Sequence, residues 1–221
     1  MKEQNPLVAP PSTAAQRGKS GDLNLKKQNL TVAITGASGA GYARKLLRSI
    51  PRRKYDVHLV SSEAGRLVYE LETGVALSGD LPPEVHTYED TDFAAPLASG
   101  SFPCVGMVIV PCTMGTLGAI VAGVSQNLIH RAADVCLKQR RPLILVPRET
   151  PLNHIHLANM LKAAEAGAII LPAMPGFYHK PTCVQDLIDF VVARILDQLG
   201  IEHNLVEPWK GLEGGSRFNR R

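Results

Sequence analysis

No apolar run in this sequence approaches the ~20 residues that a membrane-spanning helix needs, which excludes a helical membrane protein. Its four cysteines, Cys104, Cys112, Cys136 and Cys183, contain no C-x-x-C pair, so neither a zinc site nor a disulfide framework is indicated. A reducing compartment, the cytoplasm, is the expected location. There is no H-x-x-x-H pair, no G-x-S-x-G nucleophile elbow and no G-x-x-x-x-G-K-[ST] phosphate loop. No metal is expected, and the chemistry should come from a bound cofactor or from electrostatics. The formal net charge is +4, with basic residues interleaved among acids instead of gathered in a stripe with aromatics. Nucleic acid is therefore not an expected partner, whereas small anionic ligands are.

What the sequence does contain is 45% hydrophobic and 20% charged residues over 221 positions, enough for one sizeable globular domain with appendages. Residues 1–28, rich in Pro, Ser, Lys and Gly without apolar periodicity, read as a disordered arm with neither the apolar core of a secretory signal nor the Arg-rich pattern of a transit peptide. Residues 29–202 carry the domain. Residues 203–221, with the only tryptophan, Trp209, read as a tail packing on a neighbouring subunit.

The domain is organised around Leu30 to Gly41, an apolar run feeding Gly36-Ala37-Ser38-Gly39-Ala40-Gly41 and then a helix-like segment. Strand, glycine turn and helix start make a phosphate cradle: glycines let a ligand approach the main chain, and the free N–H groups at the positive end of the helix dipole favour an anion. The spacing G-x-x-G-x-G departs from the dinucleotide pattern G-x-G-x-x-G, which disfavours NAD. A helix to Ile50 follows, then a strand over Asp56–Val60 that ends in Ser61-Ser62. The next helix, Ala64–Thr73, points Leu67, Val68 and Leu71 inward and stops at Gly74. Glu70 and Glu72 sit in its last turn, against the helix dipole, so one of them is a candidate for a further purpose.

Residues 76–106 show little periodicity and read as a long binding loop or lid. A third strand, Val105–Val110, leads into a second strand-to-helix turn, Pro111 to Gly118, dense in hydroxyls and glycine. Asn127 caps a helix, Pro142–Val146 is a fourth strand, and Arg148-Glu149 lies between Pro147 and Pro151 in a rigid exit loop. A helix over Asn153–Ala166, a fifth strand over Ala168–Leu171 and a final helix with Val191, Val192 and Ile195 on its apolar stripe complete the domain. Arg194 borders that stripe.

Strands alternating with helices imply a Rossmann-like, flavodoxin-like three-layer α/β sandwich with a parallel sheet. Ligands in such sheets bind at the carboxyl ends of the strands, and all five suspicious loops lie there. Together they offer Ser38, Ser62, Thr113 and Thr116 as donors, Arg148, Lys138 and Arg194 as cations, Glu72 and Glu149 as acids, and Tyr178.

The motifs Thr35-Gly36-Ala37-Ser38-Gly39-Ala40, Pro111 to Leu117, Asn127 to Val135, Arg141-Pro142-Leu143, Val146 to Pro151 and Pro172 to Tyr178 together resemble the UbiX-type flavin prenyltransferases, over about Leu30 to Trp209. The resemblance implies transfer of a dimethylallyl group from dimethylallyl monophosphate to N5 and C6 of reduced FMN, without a metal. The product, prenylated FMN, would serve a UbiD-type decarboxylase. It also implies a homo-oligomer, a dodecamer, with active sites between subunits. By position, Gly36, Ala37, Ser38, Ser62, Thr113, Met114, Gly115, Thr116 and Arg148 would hold FMN. Tyr178, Arg194 and Trp209 would bind the prenyl phosphate together with Lys138 and Glu149, and Glu72, with Ser38, would be the acid/base. Two other readings are a flavin-dependent decarboxylase, for which the loops around Ser38, Thr113 and Arg148 offer no histidine, and a non-catalytic FMN-binding subunit.

Overall fold

The computed structural model describes residues 26–209 and 211. Of the expected N-terminal arm, residues 1–25 lie outside the described residues, as do 210 and 212–221 of the tail. In chain order the elements are β1 (Gln28–Ile34), α1 (Ala40–Ser49), β2 (Tyr55–Ser61), α2 (Glu63–Thr73), α3 (Leu77–Asp80), β3 (Val85–Glu89), β4 (Met107–Cys112), α4 (Met114–Val121), α5 (Leu128–Lys138), β5 (Leu143–Pro147), α6 (His154–Glu165), β6 (Ile169–Ile170) and α7 (Val184–Gln198). The strands form one parallel sheet in the order β3-β2-β1-β4-β5-β6. This is a doubly wound order in which the winding reverses between β1 and β4, opening a crevice at their carboxyl ends.

The alternation of side chains along each strand divides the core in two. Leu30, Val32, Ile34, Val108 and Val110 face α1 and α7 through Leu46, Leu47, Val191, Val192 and Ile195. Ala33, Ile109 and Leu145 face the opposite layer, against Leu117, Ile129, Ala133 and Ala163. Both faces being covered, the central strands are buried almost throughout. Among the described residues no helix is long and apolar enough to cross a membrane.

Two expectations are corrected. The stretch 76–106 is not one long loop: it contains α3, the edge strand β3 and a short 3-10 turn at Pro96–Ala98. The strand Val85-His86-Thr87-Tyr88-Glu89 has only Val85 and Tyr88 half-buried, so it lacks an apolar period, and pairing with β2 makes it a strand. In α2, Leu67 and Leu71 point outward, 60% and 74% exposed, while Gly65 and Tyr69 face inward. The reason is close packing: a Cβ on Gly65 would stand 2.5 Å from the Ile34 carbonyl oxygen, so only glycine lets this helix lie on β1. The first residues of the tail pack on their own chain, with Leu205 against the α7 side of the core and Trp209 5.5 Å from the ring of Tyr178.

Candidate functional site

The strand exits are sewn into one rim. The Thr35 hydroxyl donates to the Pro111 carbonyl (2.9 Å) and accepts from the Thr113 N–H (2.9 Å), joining the exits of β1 and β4 across the crevice. Ser62 N–H donates to the Ile34 carbonyl at 3.0 Å, which ties the β2 exit to β1. Arg148, leaving β5, donates from its backbone N–H to the Cys112 carbonyl and from Nε to the Ser38 carbonyl at 3.2 Å. Ala173, leaving β6, donates to the Pro147 carbonyl at 3.0 Å. The convergence of five loops expected from the alternation of elements is present, and Thr35, to which no site role was assigned, is its central fastener. The signal for it was a threonine between the apolar run and the glycine turn.

The α1 cradle already holds an anion, the Glu72 carboxylate. Its Oε2 accepts from the N–H groups of Gly39 (2.9 Å) and Ala40 (2.8 Å), and the Ser38 hydroxyl also donates to it. Glu72 thus opposes the dipole of its own α2 but sits on the favourable end of α1. Burial raises its carboxyl, and the hydrogen bonds from Ser38, Gly39 and Ala40 with the Arg148 charge outweigh that, leaving it below the ordinary range. Glu72 is therefore a carboxylate at neutral pH, beside Ser38 and Arg148 in one cleft of about 620 Å³.

The α4 end is differently arranged. The Thr113 side chain caps the helix by accepting from the Thr116 N–H (3.1 Å), and its hydroxyl donates to the Thr116 Oγ1 at 2.9 Å. That leaves the first-turn N–H groups of Met114 and Gly115, which have no partner within a helix, and the hydrogen of the Thr116 hydroxyl. A Cβ on Gly115 would meet only Thr113 Oγ1 within 4 Å, so the backbone there is open to a ligand. Ser62 caps α2 by accepting from the Gly65 N–H at 3.0 Å, which likewise keeps its own hydrogen available. These donors at a positive helix end fit the phosphate and polar edge of a flavin mononucleotide.

A second group lies on the flank of α7. Tyr178 packs edge-on to Phe190 and to Trp209, and Arg194 sits 5.7 Å over the Phe190 ring. Arg194 also pairs with Asp197 at 3.1 Å, while its Nε is buried with no partner among the described residues. Phe190 was not among the expected site residues, although an aromatic one turn before an arginine was visible in the sequence. Glu149 stays near the rim, accepting from the Thr150 N–H.

Lys138 is not brought to the rim of its own chain. It ends α5 at the amino-terminal edge of the sheet, where its Cε comes 3.5 Å from the place of a Cβ on Gly100 and Arg141 donates to the Gly100 and Phe102 carbonyls. Among the described residues no three His, Cys, Asp or Glu side chains gather as a metal-ion set. Asp90-Thr91-Asp92, spaced like a paired-aspartate motif, spends Asp92 on the turn at Ala94.

With the rim and its flank established, residues 19–196 match the family described as Flavoprotein. A flavin prenyltransferase UbiX from Alkalihalophilus pseudofirmus is 51% identical over 190 residues, covering 81% of this chain and 95% of that protein. The solved structure of AnUbiX in complex with FMN and dimethylallyl pyrophosphate superimposes with a TM-score of 0.82 at 43% identity, covering 85% of this chain and 100% of that one. A dodecameric FMN-dependent UbiX-like decarboxylase from Escherichia coli gives 0.79 at 42% identity, covering 84% and 100%. The chain belongs to the flavoprotein family and, within it, to the flavin prenyltransferases of the UbiX type.

Proposed function

We propose that this protein transfers a dimethylallyl group from dimethylallyl monophosphate to N5 and C6 of reduced FMN, and that the prenylated FMN is taken up by a UbiD-type decarboxylase. The observation that carries this reading is the rim itself: an open anion-binding helix end at α4 beside a carboxylate, Glu72, that is kept ionised. Bound reduced FMN supplies the nucleophilic ring atoms. Gly36, Ala37, Ser62, Met114, Gly115, Thr116 and Arg148 hold it, the amides and hydroxyls taking its phosphate and polar edge. Tyr178, Arg194, Lys138 and Glu149 bind the donor phosphate, with Trp209 against the prenyl chain. As phosphate leaves with the electron pair of the C–O bond, cations stabilise the charge where it develops. Glu72 takes the proton released as the new bonds form, through the Ser38 hydroxyl.

Lys138 lies at the other end of the sheet, so a second copy supplies it. In this reading the site lies between subunits of a homo-oligomer, a dodecamer. The exposed apolar residues Leu67, Leu71, Ile155, Leu161, Phe177 and Val184 support extensive association. No metal takes part, and the enzyme works in the cytoplasm.

Incubating the protein without oxygen with FMN, dithionite and dimethylallyl monophosphate, then weighing the extracted flavin, tests the reading. A gain of one isoprenyl unit is expected, and Arg194→Ala and Glu72→Ala should keep FMN but yield no product. Unmodified flavin in a protein that binds FMN would return the weight to a decarboxylase or a binding subunit. A parallel run with dimethylallyl pyrophosphate tells which donor is used.

A further inference from the structure

Away from the rim, three helices meet at one carboxylate. Asp80, the last residue of α3, has a side chain only 7% exposed. It accepts from the Tyr69 hydroxyl of α2 (2.6 Å) and forms ion pairs with Arg44 (Nε, 2.7 Å) and Arg48 (2.6 Å) of α1. Its own carboxyl is raised by burial and lowered more strongly by these partners, so it stays ionised.

Elsewhere α2 is held by Arg66, which donates to the Ser61 carbonyl at 2.8 Å and pairs with Glu89 at 3.1 Å. Gly65 and Tyr69 are its buried residues, Leu67 and Leu71 face out, and the helix ends at Gly74 in a left-handed turn followed by the exposed Val75 and Ala76. Gly65 fixes the first turn on β1. The last turn, which carries Glu72 three residues after Tyr69, is anchored by the Tyr69 side chain, whose ring is buried in the core and whose hydroxyl is held by Asp80. Besides the core that the Tyr69 ring shares with Ala43, Leu46 and Leu47, two polar links join α1 to α2: the Asp80 clamp, and the Glu72 carboxylate on Gly39 and Ala40 at the rim.

We propose that Asp80 is a positioning residue for Glu72, gripping α1 through Arg44 and Arg48 and α2 through Tyr69 so that the Glu72 carboxylate is held on the α1 amides and beside Ser38. The proposal rests on the reading of Glu72 as the acid/base of the site. Breaking the clamp lets the last turn of α2 swing outward, which loosens the Gly39 and Ala40 hydrogen bonds and misaligns the carboxylate. The charged groups around Glu72 are Arg148 from the β5 exit and, lining the same cleft, Arg44, Lys45 and Arg48 of α1, with Lys45 neutralised by Asp189 of α7 at 2.9 Å.

Tyr69→Phe is the sharpest probe, because it removes one hydroxyl and changes no charge in that cleft. In the full-length protein, amide hydrogen exchange at Gly39 and Ala40 should become about tenfold faster. The kcat for prenylated FMN should fall with FMN affinity within about twofold of the parent. Its acid limb should move to higher pH, as Glu72 loses the bonds that favour its charged form. Asp80→Asn, which frees the arginines, should raise exchange at the same two amides. Unchanged exchange at Gly39 and Ala40 in Tyr69→Phe would overturn the proposal, as would a lower melting temperature with kcat and its pH profile intact. Full turnover in Glu72→Gln would overturn it through the reading it rests on, and the exchange data separate that failure from a failure of the clamp.

Discussion

The cysteines divide by environment more sharply than by sequence position. Burial pushes the thiols of Cys112 and Cys136 up to about 12, so almost no thiolate forms at neutral pH. Cys183 is exposed at the start of α7, and Cys104 is intermediate, held by the Gly106 carbonyl at 3.0 Å. Maleimide labelling of the native protein should modify Cys183 first and leave Cys112 and Cys136 untouched until denaturant is added, as peptide mass spectrometry will read. Labelling of Cys112 in the folded protein would mean that the β4 exit opens. Glu72 carries the other lesson at this scale: its position in a last helical turn marked it as anomalous, but its partners, Gly39 and Ala40, lie more than thirty residues earlier in the chain. Only the folded sheet shows that the acid which disfavours one helix end stabilises another.

At the scale of elements, α2 depends on one absent side chain. Gly65→Ala forces a Cβ against the Ile34 carbonyl and should cost about 1–3 kcal/mol in urea unfolding. Gly79→Ala, where nothing stands within 4 Å of the added Cβ, should cost nothing comparable and serves as control. The buried strands β1, β4 and β5 were legible because both their faces are covered, which leaves unbroken apolar runs. The edge strand β3 was not, because three of its five residues face solvent and its pairing partner β2 supplies what its own pattern lacks. The inward face of α2 was misread for a related reason: leucines outweigh Gly65 and Tyr69 in any periodicity argument, yet close approach to β1 selects the glycine. Similarly, Lys138 and Arg148 were expected as cations of one rim, while only topology shows them at opposite ends of the sheet.

For the whole molecule, folding is tied to acidity through His58 in β2. Its ring meets the Tyr88 hydroxyl at 2.9 Å and Asn29 Oδ1 at 3.1 Å, and it stacks on His86 at 4.9 Å. Asn29 donates its amide to the Pro103 carbonyl, which turns Oδ1 toward the ring and selects the neutral form with hydrogen on Nε2. Burial and the neighbouring His86 push His58 down to about 4, against a small opposing effect of Asp56. The unfolded chain, titrating near 6.5, then takes a proton that the native state refuses, so this stability is complete above pH 6.5 and drains away as pH falls toward 4. The loss should reach roughly 3 kcal/mol at most. In a chain of this length that is a fall of roughly 6–12 °C in melting temperature. Calorimetry between pH 7 and 4 checks it, and His58→Asn should flatten the dependence.

The separation of Lys138 from the rim carries the last consequence, one for inheritance as much as for chemistry. A chain with Lys138→Ala still offers an intact rim, and a chain with Glu72→Ala still offers an intact lysine. Each alone should be dead, yet, with Lys138 supplied by a second copy as proposed, the two expressed in one cell should restore prenylated FMN, because some sites in the mixed particle would draw every part from an unharmed donor. Two broken alleles would then make a working enzyme, and purified mixed particles tested for the prenylated flavin would show it.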